Sequence, residues 1–226
     1  MLIAFDYEAG FSGELNQAIS TLINQLTIKG AFMTLVTTNP SGPALAESMI
    51  QNNTQLSETN SNYANLGYIP GGTMGLLGLA TSPKSMLPYS LNGDNVWANP
   101  PLNTVSSVAD FNAVIVITND ADTARAWIEQ VGPSLQKVGR PLLFVTSSQA
   151  EPLILPYYKA SPAQVQGLVA GLAGGLAYGR TVGSTPQNGL WDAFSIGIST
   201  SVLIILIGTI VGVVVKIPAN DKKKEN

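Results

Sequence analysis

The sequence predicts a three-layer α/β sandwich on a mainly parallel sheet, followed by one C-terminal transmembrane helix. Three observations carry that reading. Short apolar, β-branched runs alternate with stretches of helical spacing, the pattern of a parallel sheet buried on both faces. Residues 193–215 contain no charge at all. Across the 226 residues only 11% are charged, under half of the roughly 25% usual in soluble domains, and mean hydropathy is positive at +0.22.

The elements follow in chain order. Leu2–Tyr7 (LIAFDY) is a short buried strand. Ser12 offers an N-cap to a helix in which Leu15, Ala18, Ile19, Leu22, Ile23 and Leu26 recur at helical spacing until Gly30 ends it. Ala31–Thr37 is a second strand, and the turn Asn39-Pro40-Ser41-Gly42-Pro43 leads into a helix over residues 44–52. Residues 53–62 form a polar surface loop, and Asn52-Asn53-Thr54 has the form of a glycosylation acceptor. Tyr63–Ile69 is a third strand, ending at Pro70-Gly71-Gly72 before an apolar helix that runs to Ala80.

Residues 81–112 break the alternation with Pro83, Pro88, Pro100, Pro101 and the turn Asn92-Gly93. They read as a structureless connection that starts at the sheet's N-terminal edge, a surface or partner-contact loop rather than a catalytic lid. Ala113–Thr118 (AVIVIT) is the clearest strand, and Asp120 caps a helix carrying Ala124, Trp127, Ile128 and Val131. Pro141–Thr146 is another strand, and a helix beginning near Ser148 reaches Tyr157-Tyr158.

Residues 163–179 admit two readings. They are uncharged, with Gly167, Gly171, Gly175 and Gly179 every fourth position, which makes them a candidate second span. Their short length, their Gly and Ala content and the presence of Gln164 and Gln166 favour a buried strand, Gln164–Ala170, turning into a Gly-rich helix.

Together these elements make a Rossmann-like α/β domain over residues 1–180, a linker over 181–192, a membrane helix over 193–215 and a basic cytoplasmic tail over 216–226. At about 1.5 Å per residue the apolar stretch crosses the roughly 30 Å hydrocarbon core with some tilt. Trp191 and Phe194 stand at one interface, and Lys216, Lys222, Lys223 and Lys224 follow the span. By the positive-inside rule these lysines put the C-terminus in the cytoplasm and the domain outside. Residues 1–5 carry no export signal. That leaves three routes: a further N-terminal segment, a tail anchor with the domain in the cytoplasm, or a second span. Within the helix, Gly208 and Gly212 form a G-x-x-x-G pair suited to a homo-oligomer.

The composition also excludes chemistries. With no Cys and no His, the chain has no disulfide framework, no usual zinc site and no Ser-His-Asp mechanism. No basic stripe is interleaved with aromatics, so nucleic acid is not an expected partner. Any chemistry falls to carboxylates, hydroxyls, amines or backbone.

Such groups gather where ligands bind in open α/β sheets, beyond the carboxyl ends of the strands. Asp6, Asp120 and Asp122 are candidate ligands for Mg²⁺ or Ca²⁺ through hard oxygen donors. Asp6, Asn39, Gly71, Gly72, Thr73 and Ser148 are the candidate ligand-binding set, with the backbone at Gly71-Gly72-Thr73 available to an anion. That turn is neither G-x-G-x-x-G nor a P-loop. Helix capping by Asp120 and a first-turn position for Asp122 explain both carboxylates without a metal. The expected function is a membrane-anchored binding or assembly module with no catalytic residue and no assured cofactor. The alternative is a membrane-tethered, divalent-cation-dependent enzyme or ligand sensor.

Overall fold

A computed structural model describes residues 1–52, 62–184 and 188–216. Contacts divide the chain into two compact units, Met1–Pro186 and Gln187–Asn226.

The first unit is built on six parallel strands, β1 (Leu2–Asp6), β2 (Met33–Thr37), β3 (Tyr63–Tyr68), β4 (Val114–Thr118), β5 (Leu142–Thr146) and β6 (Gly167–Ala170). Their order across the sheet is β3-β2-β1-β4-β5-β6. The chain steps outward from β1 to β3, returns to the middle, and steps outward again from β4 to β6. β1 and β4 are therefore neighbours, with Leu2 opposite Val114 and Asp6 opposite Thr118.

Side chains alternate across each strand, so the sheet feeds two cores. Ile3, Phe5, Leu35, Ile115, Ile117 and Val145 face the first. It is closed by α1 (Ser12–Ile28), which contributes Leu15, Ile19, Leu22, Ile23 and Leu26, and by α2 (Gly42–Gln51) with Ala46, Met49 and Ile50. Leu2, Ala4, Val36, Val114, Val116 and Phe144 face the second. There they meet Leu76 and Leu79 of α3 (Gly72–Thr81), Trp127 and Ile128 of α5 (Ala121–Gln130), Leu135 of α6 (Gly132–Lys137) and Ile154 of α7 (Glu151–Lys159). The apolar strands read from the sequence are these doubly buried strands.

Two expectations change. The Ser12 cap does not form; a 3-10 turn, Ala9–Phe11, leads into α1 and the N-cap position falls on Phe11 without a side-chain bond. Residues 81–112 are not a loose connection either. A short helix α4 (Pro83–Met86) and three 3-10 turns, Val96–Ala98, Leu102–Thr104 and Val108–Asp110, fold the segment onto the sheet. Leu87, Trp97, Leu102, Val108 and Phe111 are all buried in the second core, and the Trp97 indole N–H donates to the Leu87 carbonyl at 2.7 Å. Of the prolines that suggested irregularity from sequence, Pro83 is buried and opens α4, while Pro100 and Pro101 stand exposed in a turn.

The glycine-spaced stretch keeps its favoured reading. It forms β6 and then α8 (Gly171–Thr181), which packs on α1 over the first core. A Cβ at Gly175 would lie 3.2 Å from the Ala18 Cβ, and one at Gly179 would meet the Thr21 Oγ1 at 3.7 Å. The four-residue glycine spacing is thus a groove that lets two helices approach, and the strand-then-helix reading holds.

The second unit contains α9 (Asn188–Lys216). Within it Asp192–Val213 is long and apolar enough to cross a membrane, with a mean hydropathy of 2.4. Asn53 and Thr54 of the acceptor triplet, most of the polar loop at 53–62 and the lysines at 222–224 lie outside the described residues.

Candidate functional site

The reversal of strand order between β1 and β4 marks where an open α/β sheet ordinarily leaves a ligand crevice. The sequence places Asp6 at the end of β1 and Asn119-Asp120 at the end of β4, so both flank that position. In this chain the crevice is bridged by its own side chains.

Asp6 is 4% exposed. One carboxylate oxygen accepts from the Thr38 backbone N–H and from the Thr37 hydroxyl, the latter at 3.0 Å. The other accepts from the Trp127 indole N–H. The carboxylate therefore ties the ends of β1 and β2 to α5, which packs on the face of the sheet that Leu2 and Ala4 share. Burial pushes its pKa above the ordinary carboxylate range, against the pull of the Thr38, Trp127 and Thr37 donors. Both oxygens are taken by protein donors, which makes Asp6 a cross-layer tie.

Asn119 closes the neighbouring gap. Its Oδ1 accepts from the Glu8 backbone N–H at 2.8 Å, linking the turn after β1 to the turn after β4. Its carbonyl receives the Gln149 amide at 3.1 Å from the turn after β5. A third bridge joins α1 to that same turn: Glu14 accepts from the Ser148 N–H and Oγ–H, each at 2.7 Å. Gly171 then comes so close that an added Cβ would stand 2.1 Å from the Ser148 Oγ, and its φ of +61° is itself unfavourable to a side chain.

Most of the remaining predicted residues are dispersed. Asp120 is exposed and caps α5, its Oδ2 accepting from the Thr123 N–H and hydroxyl at 2.7 Å each. Asp122 is exposed and pairs with Arg125 at 3.2 Å. Among the described residues no three Asp or Glu side chains gather closely enough to hold a metal ion. Asn39 forms a local turn, its Oδ1 accepting from the Ser41 N–H at 3.1 Å. Gly71, Gly72 and Thr73 are exposed at the start of α3, beyond edge strand β3 and two strands away from the reversal point. Ser148 joins the bridges that surround Asp6, and so does Asn39, whose side-chain amide donates to the Tyr7 carbonyl at 3.4 Å and whose N–H donates to the Thr37 Oγ1 at 2.9 Å.

Sequence reading missed Thr37, Trp127, Asn119, Glu14 and Gly171 as parts of this constellation. The Asp6–Trp127 bond joins residues 121 apart in sequence, and no local pattern signals such a pairing. The strand-end positions of Thr37 and Asn119 were the available cue.

The electrostatics do not suit a phosphate. In dinucleotide-binding folds the first helix N-terminus after β1 receives the anion. Here the first turn of α1 carries Glu14, and exposed Glu8 precedes it. Two surface hollows open instead at the opposite, N-terminal edge of the sheet. One of about 680 Å³ is lined by Lys29, Phe32, Asn62 and Asp110, and one of about 320 Å³ by Gln136, Arg140, Pro162 and Gln166. No family model, curated protein or solved structure matches the chain.

Proposed function

We propose that the chain is a membrane-anchored binding or assembly module, its α/β domain presenting the surface and α9 holding it at a bilayer. The observation that carries this is the helix segment Asp192–Val213, long and apolar enough to cross a membrane and free of charge after Asp192, joined to a domain whose switch-point crevice is bridged by Asp6, Asn119 and Glu14. Lys216 and the lysines at 222–224 favour a cytoplasmic C-terminus and an extracytoplasmic domain. Added Cβ atoms at Gly208 and Gly212 would meet nothing within 4 Å, which leaves that face open to a second copy of the helix.

The test uses the full chain. In vesicles it should float with lipid after alkaline carbonate extraction, and in nanodiscs it should give no binding heat with millimolar Mg²⁺, Ca²⁺, ATP or NAD. Recovery in the soluble fraction overturns the anchor. A cation heat that disappears in Asp120→Asn/Asp122→Asn overturns the non-catalytic reading in favour of a cation-dependent site at Asp6, Asp120 and Asp122.

A further inference from the structure

The charges of the domain are sorted by sheet edge. Of the seven Lys and Arg in residues 1–186, only Arg125 lies near the carboxyl ends of the strands. Lys29 follows α1, Lys84 lies in α4 just past α3, Lys137 ends α6, Arg140 precedes β5, and Lys159 and Arg180 stand in the last turns of α7 and α8. All six are exposed at the N-terminal edge, and among the described residues the one ion pair is Arg125–Asp122. Glu8, Glu14, Asp120, Asp122 and Glu151 occupy the opposite edge. Among the described residues the carboxylates toward the basic edge include Glu129, Asp110 and Glu47; Asp110 is held by the Ser106 and Ser107 N–H groups, and Glu47 accepts from the Tyr63 hydroxyl at the start of β3 at 2.9 Å.

Helix dipoles favour cations at C-termini and account for part of this pattern. They do not account for the apolar side chains set among the bases. Ile28 is 66% exposed beside Lys29, and Val138 is 54% exposed beside Lys137. Apolar residues projecting between lysines are the composition of a surface that settles at a headgroup boundary. The hollows beside Lys29 and Arg140 are large enough to seat headgroups. The chain also leaves the domain from this edge: α8 ends at Thr181, and only residues 182–187 precede α9.

From these features we infer that the N-terminal edge of the sheet, with Lys29, Lys137, Arg140 and Arg180 around Ile28 and Val138, docks on an anionic lipid bilayer. This rests on the membrane reading of α9, since the bilayer is the one that helix would enter. The anionic headgroups supply the charge complement. Each base near such a surface is expected to change the docked-to-free ratio about fivefold, and salt screens the attraction over about 10 Å at 0.1 M.

The chain has no Cys, so a single introduced thiol carries a unique probe. Val138→Cys and, as the far-edge control, Asp122→Cys are labelled with an environment-sensitive dye in the full chain. Each is reconstituted in vesicles of phosphatidylcholine alone or with 30% phosphatidylglycerol, and an aqueous quencher is added. The Val138 probe should be shielded in the anionic vesicles and open in the neutral ones, while the Asp122 probe stays open in both. Adding 0.5 M NaCl, or the changes Lys29→Gln/Lys137→Gln/Arg140→Gln/Arg180→Gln, should expose the Val138 probe again. Retention of shielding in a Lys29→Arg/Lys137→Arg variant shows that the charge is what acts. Equal quenching of the Val138 probe in both lipids, or shielding that survives neutralisation of all four bases, overturns the docking edge. Failure of the labelled chain to float with either vesicle overturns the anchor instead, so the two failures are distinct.

Discussion

Asp6 shows how a side chain that looks reactive in sequence becomes structural once its neighbours are known. A carboxylate at the end of a buried strand suggests a ligand, but three donors from β2, its following turn and α5 converge on it. Trp127→Phe keeps the ring and removes one donor, leaving a buried carboxylate oxygen unpaired. We expect a loss of about 2 kcal/mol in chemical unfolding of the domain, the usual cost of such a group. The linkage has a definite sign. Between the ordinary carboxylate value of 3.8 and its raised native value, the folded protein keeps a proton that the unfolded chain has released. Stability from Asp6 is therefore fullest below pH 3.8 and is lost as pH rises through the native value. Asp6→Asn should abolish that slope, and at neutral pH it should destabilise because its amide turns a donor toward another donor. Stability measured at several pH values checks both statements; an unchanged slope in Asp6→Asn would mean that another group carries it. Position and type of Asp6 were legible in the sequence. Its partners were not, because Thr37 and Trp127 reach it through strand order and helix rotation.

Pairs of elements were read unevenly, for a physical reason. The strands and the amphipathic α1 and α5 announce themselves through burial period, because their apolar residues repeat along one segment. The segment from 81 to 112 buries residues such as Trp97, Leu102 and Phe111 at irregular intervals, so no period betrays it. The glycines of α8 carried a readable spacing, yet that spacing serves a membrane dimer and a close soluble helix pair equally well. Contact with α1 decides between them. Gly175→Ala would place a Cβ 3.2 Å from the Ala18 Cβ and 3.4 Å from the Ala18 backbone nitrogen. A small shift accommodates that, and the expected cost is about 1 kcal/mol. Gly175→Leu forces α8 off α1, with an overpacking cost of about 3 kcal/mol. Amide exchange should then show faster opening of α8, and with it β6 at the sheet edge, ahead of the central strands. Uniform exchange across the sheet in Gly175→Leu would refute the close-packing role. By contrast Gly42→Ala, whose Cβ would sit 2.1 Å from the Thr37 Oγ1 and 2.6 Å from the Phe5 carbonyl, should disturb the centre of the sheet and lower the stability of the whole domain.

At the scale of the whole molecule, the proposed membrane anchor makes a prediction about which side of the bilayer holds the domain, and the charges offer an argument with two parts. Lys216 and the tail lysines favour retention of the C-terminus in the cytoplasm. The domain supplies six bases on one edge, but a folded domain of this size is translocated or retained largely regardless of its own charge. The tail therefore decides, and the expected arrangement is a cytoplasmic tail with Asn92, an exposed residue of the 81–112 segment, on the far side. Because the chain lacks Cys, Asn92→Cys and Glu225→Cys each give one labelling site. A membrane-impermeant maleimide applied to intact cells should label Asn92→Cys at once and Glu225→Cys only after lysis. The reverse pattern inverts the topology. Labelling of Asn92→Cys only after lysis means that the domain is cytoplasmic, with α9 as a tail anchor if Glu225→Cys is reached from outside and as half of a hairpin if it is not. The hairpin would require a second span, and the stretch that most resembled one is folded as β6 and α8 against α1. Within the described residues, Asp192–Val213 is the one helix that meets the length and hydropathy of a span, so the labelling pattern separates the expected orientation from a tail anchor.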